Sequence, residues 1–288
     1  MVFAIVSWVI LVVGIVLLII RRKTKHRREL EYIGIVCTAL GTVFASVFTC
    51  IALTGNTGYA APGERYAGKS QTWAGKNVLV IGDSVSDLNM HPHPWQETFA
   101  SALGCTVTTH AKGGTTLLGM IDGTPSFDAL TKDDVQGKDL IILFGGANDA
   151  EWGGPLGQVG DTETGTVCGN YYYAVKRIYT LLAETDNITC PIVLVGYYNS
   201  GTEFADDQGL RQTTADIAHW LGLPCVDLRS SGINPATWSL YGQEDNMHLT
   251  AAGNILIGNQ IAKFVESSVS PGLSRELLAV YMPETQTK

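Results

Sequence analysis

Short apolar runs alternate with longer stretches of helical periodicity between residues 77 and 266. The apolar runs are typical of buried strands and comprise Asn77–Ile81, Thr106–Thr109, Leu140–Phe144, Ile192–Tyr197 and Cys225–Leu228. The helical stretches are Trp95–Leu103, Tyr171–Glu184, Asp206–Leu221 and Ala251–Glu266. Because strands that alternate with helices form βαβ units, the pattern predicts an α/β fold, a three-layer α/β/α sandwich with a mainly parallel five-stranded sheet. Its predicted core residues are Val78, Val80, Ile141, Leu143, Val193, Val195 and Val226.

Two longer uncharged runs, Val2–Ile20 and Ile33–Leu53, precede this pattern. As helices they would be about 28 and 31 Å long, close to the thickness of the hydrocarbon layer. We therefore predict a two-helix membrane anchor over residues 1–53, with a basic cytoplasmic loop at residues 21–32. Two alternatives stay open: both runs are buried core helices, or the second is a signal segment cleaved after Gly58-Tyr59-Ala60.

Charge is distributed unevenly along the chain. Of the 288 residues, 45% are hydrophobic and 16% are charged, with a formal net charge of −8. Residues 1–31 carry a local charge of +4, which leaves 13 basic and 25 acidic residues, a net −12, for the remainder. An acidic domain repels phosphate backbones, so no nucleic-acid partner is predicted, and the high apolar content excludes a disordered chain.

Composition also sets the predicted domain boundaries. Residues 54–75 are rich in Gly, Ala, Ser and Thr and lack a hydrophobic period, which is typical of a flexible linker. The α/β domain is predicted over residues 76–268. Residues 269–288, which begin beside Ser270-Pro271-Gly272, are predicted to form a C-terminal tail.

Four polar blocks lie where predicted strands end or where the last helix begins. They are Gly82–Ser84, Ala111–Thr116, Gly145–Asp149 and Asp245–His248. Each block alone is also explained by an ordinary turn or helix cap. Their shared position favours chemistry instead, because reactive groups gather at the carboxyl edge of a parallel sheet.

These blocks contain the parts needed for nucleophilic catalysis by a serine. The Ser84 hydroxyl becomes a nucleophile when a base removes its proton, and His248 suits that role near neutral pH. Asp245, three residues earlier, can reach the other ring nitrogen. The N–H groups of Ser84 and Gly114 and the Asn148 side-chain amide can stabilise the oxyanion of a tetrahedral intermediate.

Together the Gly-Asp-Ser, Gly-Gly-Thr-Thr, Gly-x-Asn-Asp and Asp-x-x-His blocks resemble the SGNH (GDSL-type) hydrolase family. They occur in the family's order, and the resemblance covers roughly residues 76–268. It implies an SGNH, flavodoxin-like fold, ester substrates and no cofactor or metal. It also implies a catalytic triad of Ser84, Asp245 and His248, with an oxyanion hole formed by Ser84, Gly114 and Asn148.

An α/β-hydrolase is the main competing serine hydrolase, and the sequence excludes it. That fold requires a G-x-S-x-G elbow, whereas the segment Gly82–Ser86 lacks the second glycine. A metal site is not predicted either, because no Cys or carboxylate cluster completes a ligand set with His91 and His93; we assign their loop to the wall of the cleft.

Aromatic residues near the predicted site are candidates for substrate binding. Trp152, Tyr198 and Trp238 are predicted to form a rim on which a sugar stacks, with ordinary core packing as the alternative. The long loop Ala150–Cys168 is typical of a lid or a binding loop. Among the six cysteines only Cys190 and Cys225 are placed to approach each other, and a disulfide between them stays open.

These observations predict a membrane-anchored, extracytoplasmic serine ester hydrolase of a bacterial cell surface. Its acyl-enzyme mechanism would act on small acyl esters, O-acetylated glycans among them, and the lipid bilayer would be its second partner. One alternative is an envelope glycan O-acyltransferase that uses the same serine. Another is a catalytically inactive, tethered binding module. The sequence makes no prediction of oligomeric state.

Overall fold

The computed structural model describes residues 70–152, 154–200 and 209–272. Five strands form one fully parallel sheet: β1 (Asn77–Gly82), β2 (Thr106–Ala111), β3 (Leu140–Phe144), β4 (Ile192–Gly196) and β5 (Cys225–Asp227). The spatial order is β2-β1-β3-β4-β5. The predicted five-stranded parallel sheet is therefore confirmed, and the strand limits agree with the sequence-based ones to within two residues.

Eight α-helices are described around the sheet. They are α1 (Trp95–Leu103), α2 (Leu117–Asp122), α3 (Lys132–Val135), α4 (Ala147–Trp152), α5 (Val167–Glu184), α6 (Leu210–Leu221), α7 (Trp238–Tyr241) and α8 (Ala251–Ser268). Helix α1 packs against α8, whereas α5 packs against α2, α3 and α6. Because crossovers between parallel strands are right-handed as a rule and the strand order reverses at β1, these two groups are assigned to opposite faces of the sheet.

The core lies along the central strands. Every residue of β3 and β4 is buried, as are the last five residues of β1. The seven predicted core residues are each at most 4% exposed. Strand β2, at the edge of the sheet, is instead half-buried. A continuous apolar run is what a strand needs when helices cover both of its faces.

Two helices begin at other residues than predicted, and in both the residue before the helix explains its start. Helix α5 begins four residues earlier than predicted because Thr166 caps it, accepting a hydrogen bond from the Gly169 N–H. Helix α6 begins at Leu210 because Gly209 has a left-handed backbone, with φ +73°. Helix α4 was not predicted, and Trp152 is its last residue instead of part of the predicted loop Ala150–Cys168.

The segment before β1 is packed, although the sequence predicted a flexible linker up to residue 75. Trp73 is completely buried, and the Ser70 hydroxyl donates a 2.8 Å hydrogen bond to Glu266 on α8. The folded domain thus includes residues before Lys76, because one large apolar side chain finds a place in the core. After α8, the chain packs back on the domain, where the Gly272 N–H donates a 3.3 Å hydrogen bond to the Asp139 carbonyl.

The predicted membrane anchor, the first part of the predicted linker and the end of the C-terminal tail lie outside the described residues. None of the helices in the described part of the chain has the length and apolar character needed to span a bilayer. The four described cysteines, Cys105, Cys168, Cys190 and Cys225, are free, so Cys190 and Cys225 do not form a disulfide here.

Candidate active site

The predicted nucleophile lies directly after β1, at the point where the sheet order reverses. Gly82 pairs with Phe144 of β3, and a Cβ on Gly82 would lie only 2.7 Å from the Phe144 carbonyl oxygen. Only glycine fits this close approach. Two residues later Ser84 is 8% exposed and lines a cavity of about 580 Å³.

Asp245 and His248 form a short pair in the loop before α8. His248 Nδ1 lies 2.6 Å from Asp245 Oδ2, while Asp245 Oδ1 accepts the backbone N–H groups of Met247 and His248 at 3.0 and 2.9 Å. The turn between them requires a left-handed residue, and Asn246 supplies it with φ +59°. The carboxylate therefore fixes both the loop and the ring.

This arrangement sets the chemistry available to the ring. Because a carboxylate only accepts hydrogen bonds, the neutral ring carries its proton on Nδ1 and leaves a lone pair on Nε2. His248 Nε2 is buried and has no hydrogen-bond partner in the described part of the chain. Burial works to raise the pKa of Asp245, but the hydrogen bonds from His248 and the Met247 N–H outweigh it and lower that pKa. These hydrogen bonds thus favour the ionised form of the Asp245 carboxylate.

The predicted oxyanion donors line the same cavity as Ser84 and His248. Gly114 adopts φ +77°, a conformation that favours glycine. The neighbouring Gly113 N–H donates a 2.9 Å hydrogen bond to Asp87 of the nucleophile loop. Asn148, in the first turn of α4, donates from Nδ2 to the Thr115 carbonyl at 3.0 Å. An amide nitrogen carries two hydrogens, so one N–H remains for a ligand.

The structure therefore brings together the loops after β1, β2 and β3 and the loop before α8. This geometry agrees with a comparison of the sequence with protein families. The profile of the GDSL-like lipase/acylhydrolase family matches residues 80–255, which is more than half of the chain. The protein belongs to this family. As a GDSL-like acylhydrolase it is a serine ester hydrolase.

Solved structures resemble the GDSL-like domain over almost their whole length. A protein from Lactobacillus plantarum is 24% identical with a TM-score of 0.52, over 68% of this chain and 98% of its own. A lipase/acylhydrolase from Enterococcus faecalis is 20% identical with a TM-score of 0.44, over 69% and 100%. A catalytic mutant of an acetylxylan esterase from Geobacillus stearothermophilus is 18% identical with a TM-score of 0.44, over 70% and 99%. No curated protein matches the sequence.

The three aromatic residues predicted for the rim of this GDSL-like site separate into two groups. Trp152 is 62% exposed and lines the cavity beside Gly114. Tyr198 and Trp238 are buried and pack together with ring centroids 6.3 Å apart. The Tyr198 hydroxyl donates to the Met247 carbonyl at 2.8 Å. Both side chains are buried against the segment that carries His248, so they do not form a surface on which a sugar can stack.

Sequence reasoning missed two buried carboxyl groups that flank the predicted catalytic residues. Asp83 accepts hydrogen bonds from the Val85 N–H and the Tyr197 hydroxyl. Burial raises its pKa to about 6, against the lowering effect of these bonds. The only available signal was position: Asp83 precedes Ser84 at the end of a buried strand.

The second buried carboxyl, Asp149, follows Asn148. It accepts the Leu117 N–H at 2.7 Å and the Asn170 side-chain amide at 2.9 Å. Burial raises its pKa also to about 6, again against these hydrogen bonds. One carboxyl group therefore joins helix α4 to the first residue of α2 and to helix α5.

These two pKa values predict an unusual dependence of stability on pH in this GDSL-like domain. Both folded-state pKa values exceed the ordinary 3.8, so the folded chain binds more protons than the unfolded chain between about pH 4 and pH 6. The free energy of unfolding should therefore fall as the pH rises through this window, by on the order of 2 kcal/mol for each carboxyl.

Urea denaturation at several pH values tests this directly. Asp83→Asn and Asp149→Asn should each flatten the slope of unfolding free energy against pH, whereas the exposed Asp216→Asn should leave it unchanged. A wild-type stability that rises between pH 4.5 and pH 6 would contradict the prediction.

Proposed function

We propose that Ser84, His248 and Asp245 form the catalytic triad of an acyl-enzyme mechanism. One observation carries this proposal: Asp245 holds His248 Nδ1 at 2.6 Å, which leaves Nε2 as the proton acceptor in a cavity shared with Ser84. His248 Nε2 takes the Ser84 hydroxyl proton as Oγ bonds to the acyl carbon. The proton then passes to the leaving alcohol, and water, deprotonated by the same nitrogen, releases the acid and frees the serine.

The negative charge of the tetrahedral intermediate is assigned to three donors. They are the backbone N–H groups of Ser84 and Gly114 and the remaining side-chain N–H of Asn148. The bond to the Thr115 carbonyl and the bond between Gly113 and Asp87 hold these donors in place before substrate binds. Preorganised donors of this kind are typically worth about 10²–10³ in rate each.

Substitution of the nucleophile tests the mechanism. Ser84→Ala should lower the turnover of p-nitrophenyl acetate by at least about 10³-fold, because no covalent intermediate can form. Ser101→Ala, at an exposed position on α1, provides the matched control and should retain wild-type turnover. Covalent labelling by a fluorophosphonate should likewise disappear only in Ser84→Ala. Equal turnover in the two variants would overturn the assignment.

We further propose that the substrates are small acyl esters carried by a glycan, O-acetyl esters among them. Trp152 supports this class, because its exposed ring lies next to Gly114 at the mouth of the cavity. An aromatic face in that position can stack on the apolar face of a sugar while the acyl group enters between the oxyanion donors. Met90, 44% exposed, borders the same cavity on the side of Gly113.

A comparison of two substrates tests the role of Trp152. In Trp152→Ala, kcat/KM on an acetylated polysaccharide should fall by about 5- to 10-fold through KM, because a stacking contact is worth about 1 kcal/mol. The rate with p-nitrophenyl acetate should change little. Trp220→Ala is the matched control, since Trp220 is also exposed but lies on α6 against Tyr172.

An unchanged KM for the polysaccharide in Trp152→Ala would refute the glycan proposal. Product analysis in the same assay separates hydrolysis, which gives free acid, from transfer of the acyl group to a sugar hydroxyl. Hydrolysis is the expected outcome.

We propose that residues 1–53 anchor this domain to the cell membrane and that the domain is extracytoplasmic. The apolar runs 2–20 and 33–53 and the basic residues between them support this arrangement. The full chain should then stay in the membrane pellet after an alkaline carbonate wash, and added protease should reach the domain in intact spheroplasts. Release by the wash, or a mature chain starting near Ala60, would contradict the two-helix anchor.

A further inference from the structure

His91 is a buried histidine that the proposed mechanism does not use. It lies in the loop between β1 and α1 and is only 5% exposed. Its Nε2 lies 2.8 Å from the carbonyl oxygen of Ser84. Because a carbonyl only accepts, His91 Nε2 must carry a hydrogen and donate it. The ring therefore holds the backbone of the predicted nucleophile.

The same ring also contacts the predicted base. The ring centroids of His91 and His248 are 5.9 Å apart, with an angle of 51° between the planes. Ser84 and His248 lie far apart in the sequence. Proton transfer between them requires that the distance between Ser84 Oγ and His248 Nε2 be set with sub-ångström accuracy. One side chain that contacts both of them can set their separation.

Proton transfer by His91 itself is disfavoured by its surroundings. Burial lowers the pKa of His91, and the charge of His248 also works to lower it, while the bond to Ser84 and the charges of Asp87 and Asp245 act in the opposite direction. Its Nδ1 is buried and has no hydrogen-bond partner within the described residues, so a proton there would be unsatisfied. Burial and the lack of a partner for Nδ1 within the described residues both favour the neutral ring.

The nearby His93 provides a contrast within the same short motif. Its side chain is 65% exposed and lies 3.7 Å from Glu97 on α1, outside the cavity. Two histidines separated by one proline therefore occupy opposite environments. Only His91 contacts the site.

We propose that His91 is a positioning residue, whose neutral ring donates to the Ser84 carbonyl and packs on His248 to hold nucleophile and base in register. This inference rests on the proposed triad. Without the ring donor, the Ser84 carbonyl would retain, among the described residues, only the Asp87 N–H, at a long 3.4 Å. The nucleophile loop could then relax, and the separation of Ser84 Oγ from His248 Nε2 would no longer be fixed. Such a change affects the chemical step more than substrate binding.

Two nearly isosteric substitutions isolate the hydrogen bond. His91→Gln can place an amide N–H near the position of Nε2, whereas His91→Met has similar length but no donor. His93→Met is the matched control for the loop. Should His91→Met fail to fold, as judged by urea denaturation, His91→Phe fills the volume of the ring and also lacks the donor. All variants are made in the full chain, in detergent.

The readouts are kcat and KM for p-nitrophenyl acetate, their pH profiles, and the rate of labelling by a fluorophosphonate. We expect His91→Met to lower kcat and the labelling rate between about 5-fold, the equivalent of one neutral hydrogen bond, and about 100-fold, with KM within about 2-fold of wild type. His91→Gln should recover most of the rate, and His93→Met should behave as wild type. The pH profile should keep its shape in every variant.

Three results would overturn the inference. One is a His91→Met rate equal to wild type. Another is a loss in His91→Gln as large as in His91→Met, which would assign the effect to ring volume alone. The third is a lost or displaced limb in the pH profile, which would make His91 a proton-transfer group. Failure of the proposed function is recognised separately, because the wild-type chain would then resist fluorophosphonate labelling.

Discussion

The pairing of β1 with β3 at the reversal of strand order is the constraint on which the site depends. Parallel strands end at the same edge, so the residues that follow Gly82 and Phe144 must emerge side by side. This brings Ser84 and Asn148 to one cavity although 64 residues separate them. The close approach of Gly82 to the Phe144 carbonyl is required for this pairing to continue to the last residue of β1.

Buried carboxyl groups connect the loops that this pairing brings together. Asp83 binds the Tyr197 hydroxyl at the end of β4, and Asp149 binds the first N–H of α2 and the Asn170 amide. Burial raises the pKa of both carboxyl groups to about 6. The charged forms are costly in a buried environment, and these hydrogen bonds offset part of that cost while they connect the loops. At neutral pH the domain therefore carries two buried charges that lower its stability.

Much of the fold was predictable because the sheet is buried on both faces. Continuous apolar runs in the sequence predict β1, β3 and β4. The four polar blocks were recognisable because they occur along the chain in the same order as in the family. The short helices α2, α3, α4 and α7 were not predicted. With four to six residues each, they are too short to show a helical period.

The parts that the sequence did not reveal depend on distances across the fold. Asp87 accepts a hydrogen bond from the Gly113 N–H, 26 residues later, and the buried Tyr198 donates to the Met247 carbonyl, 49 residues away. His91 and His93 look equivalent in the sequence, yet one is buried against Ser84 and the other is exposed. Trp73 likewise lies in a stretch whose composition indicates a linker but is fully buried. Local pattern cannot contain such information, since tertiary packing decides which of several similar side chains enters the interior.

The hydrogen bonds around the cavity distinguish the side chains that hold the candidate site in place from those that only line it. Ser84, Asn148 and His248 are each fixed by polar bonds to a neighbouring loop. Trp152 and Met90 line the same cavity, and within the described residues the hydrogen bonds that hold Ser84, Asn148 and His248 do not involve their side chains. A substitution at either position is therefore expected to change the surface of the cavity while Ser84, Asn148 and His248 keep these hydrogen bonds. One fold can carry sites for different substrates. The substrate must therefore be inferred from the side chains at the rim of the cavity and not from the fold.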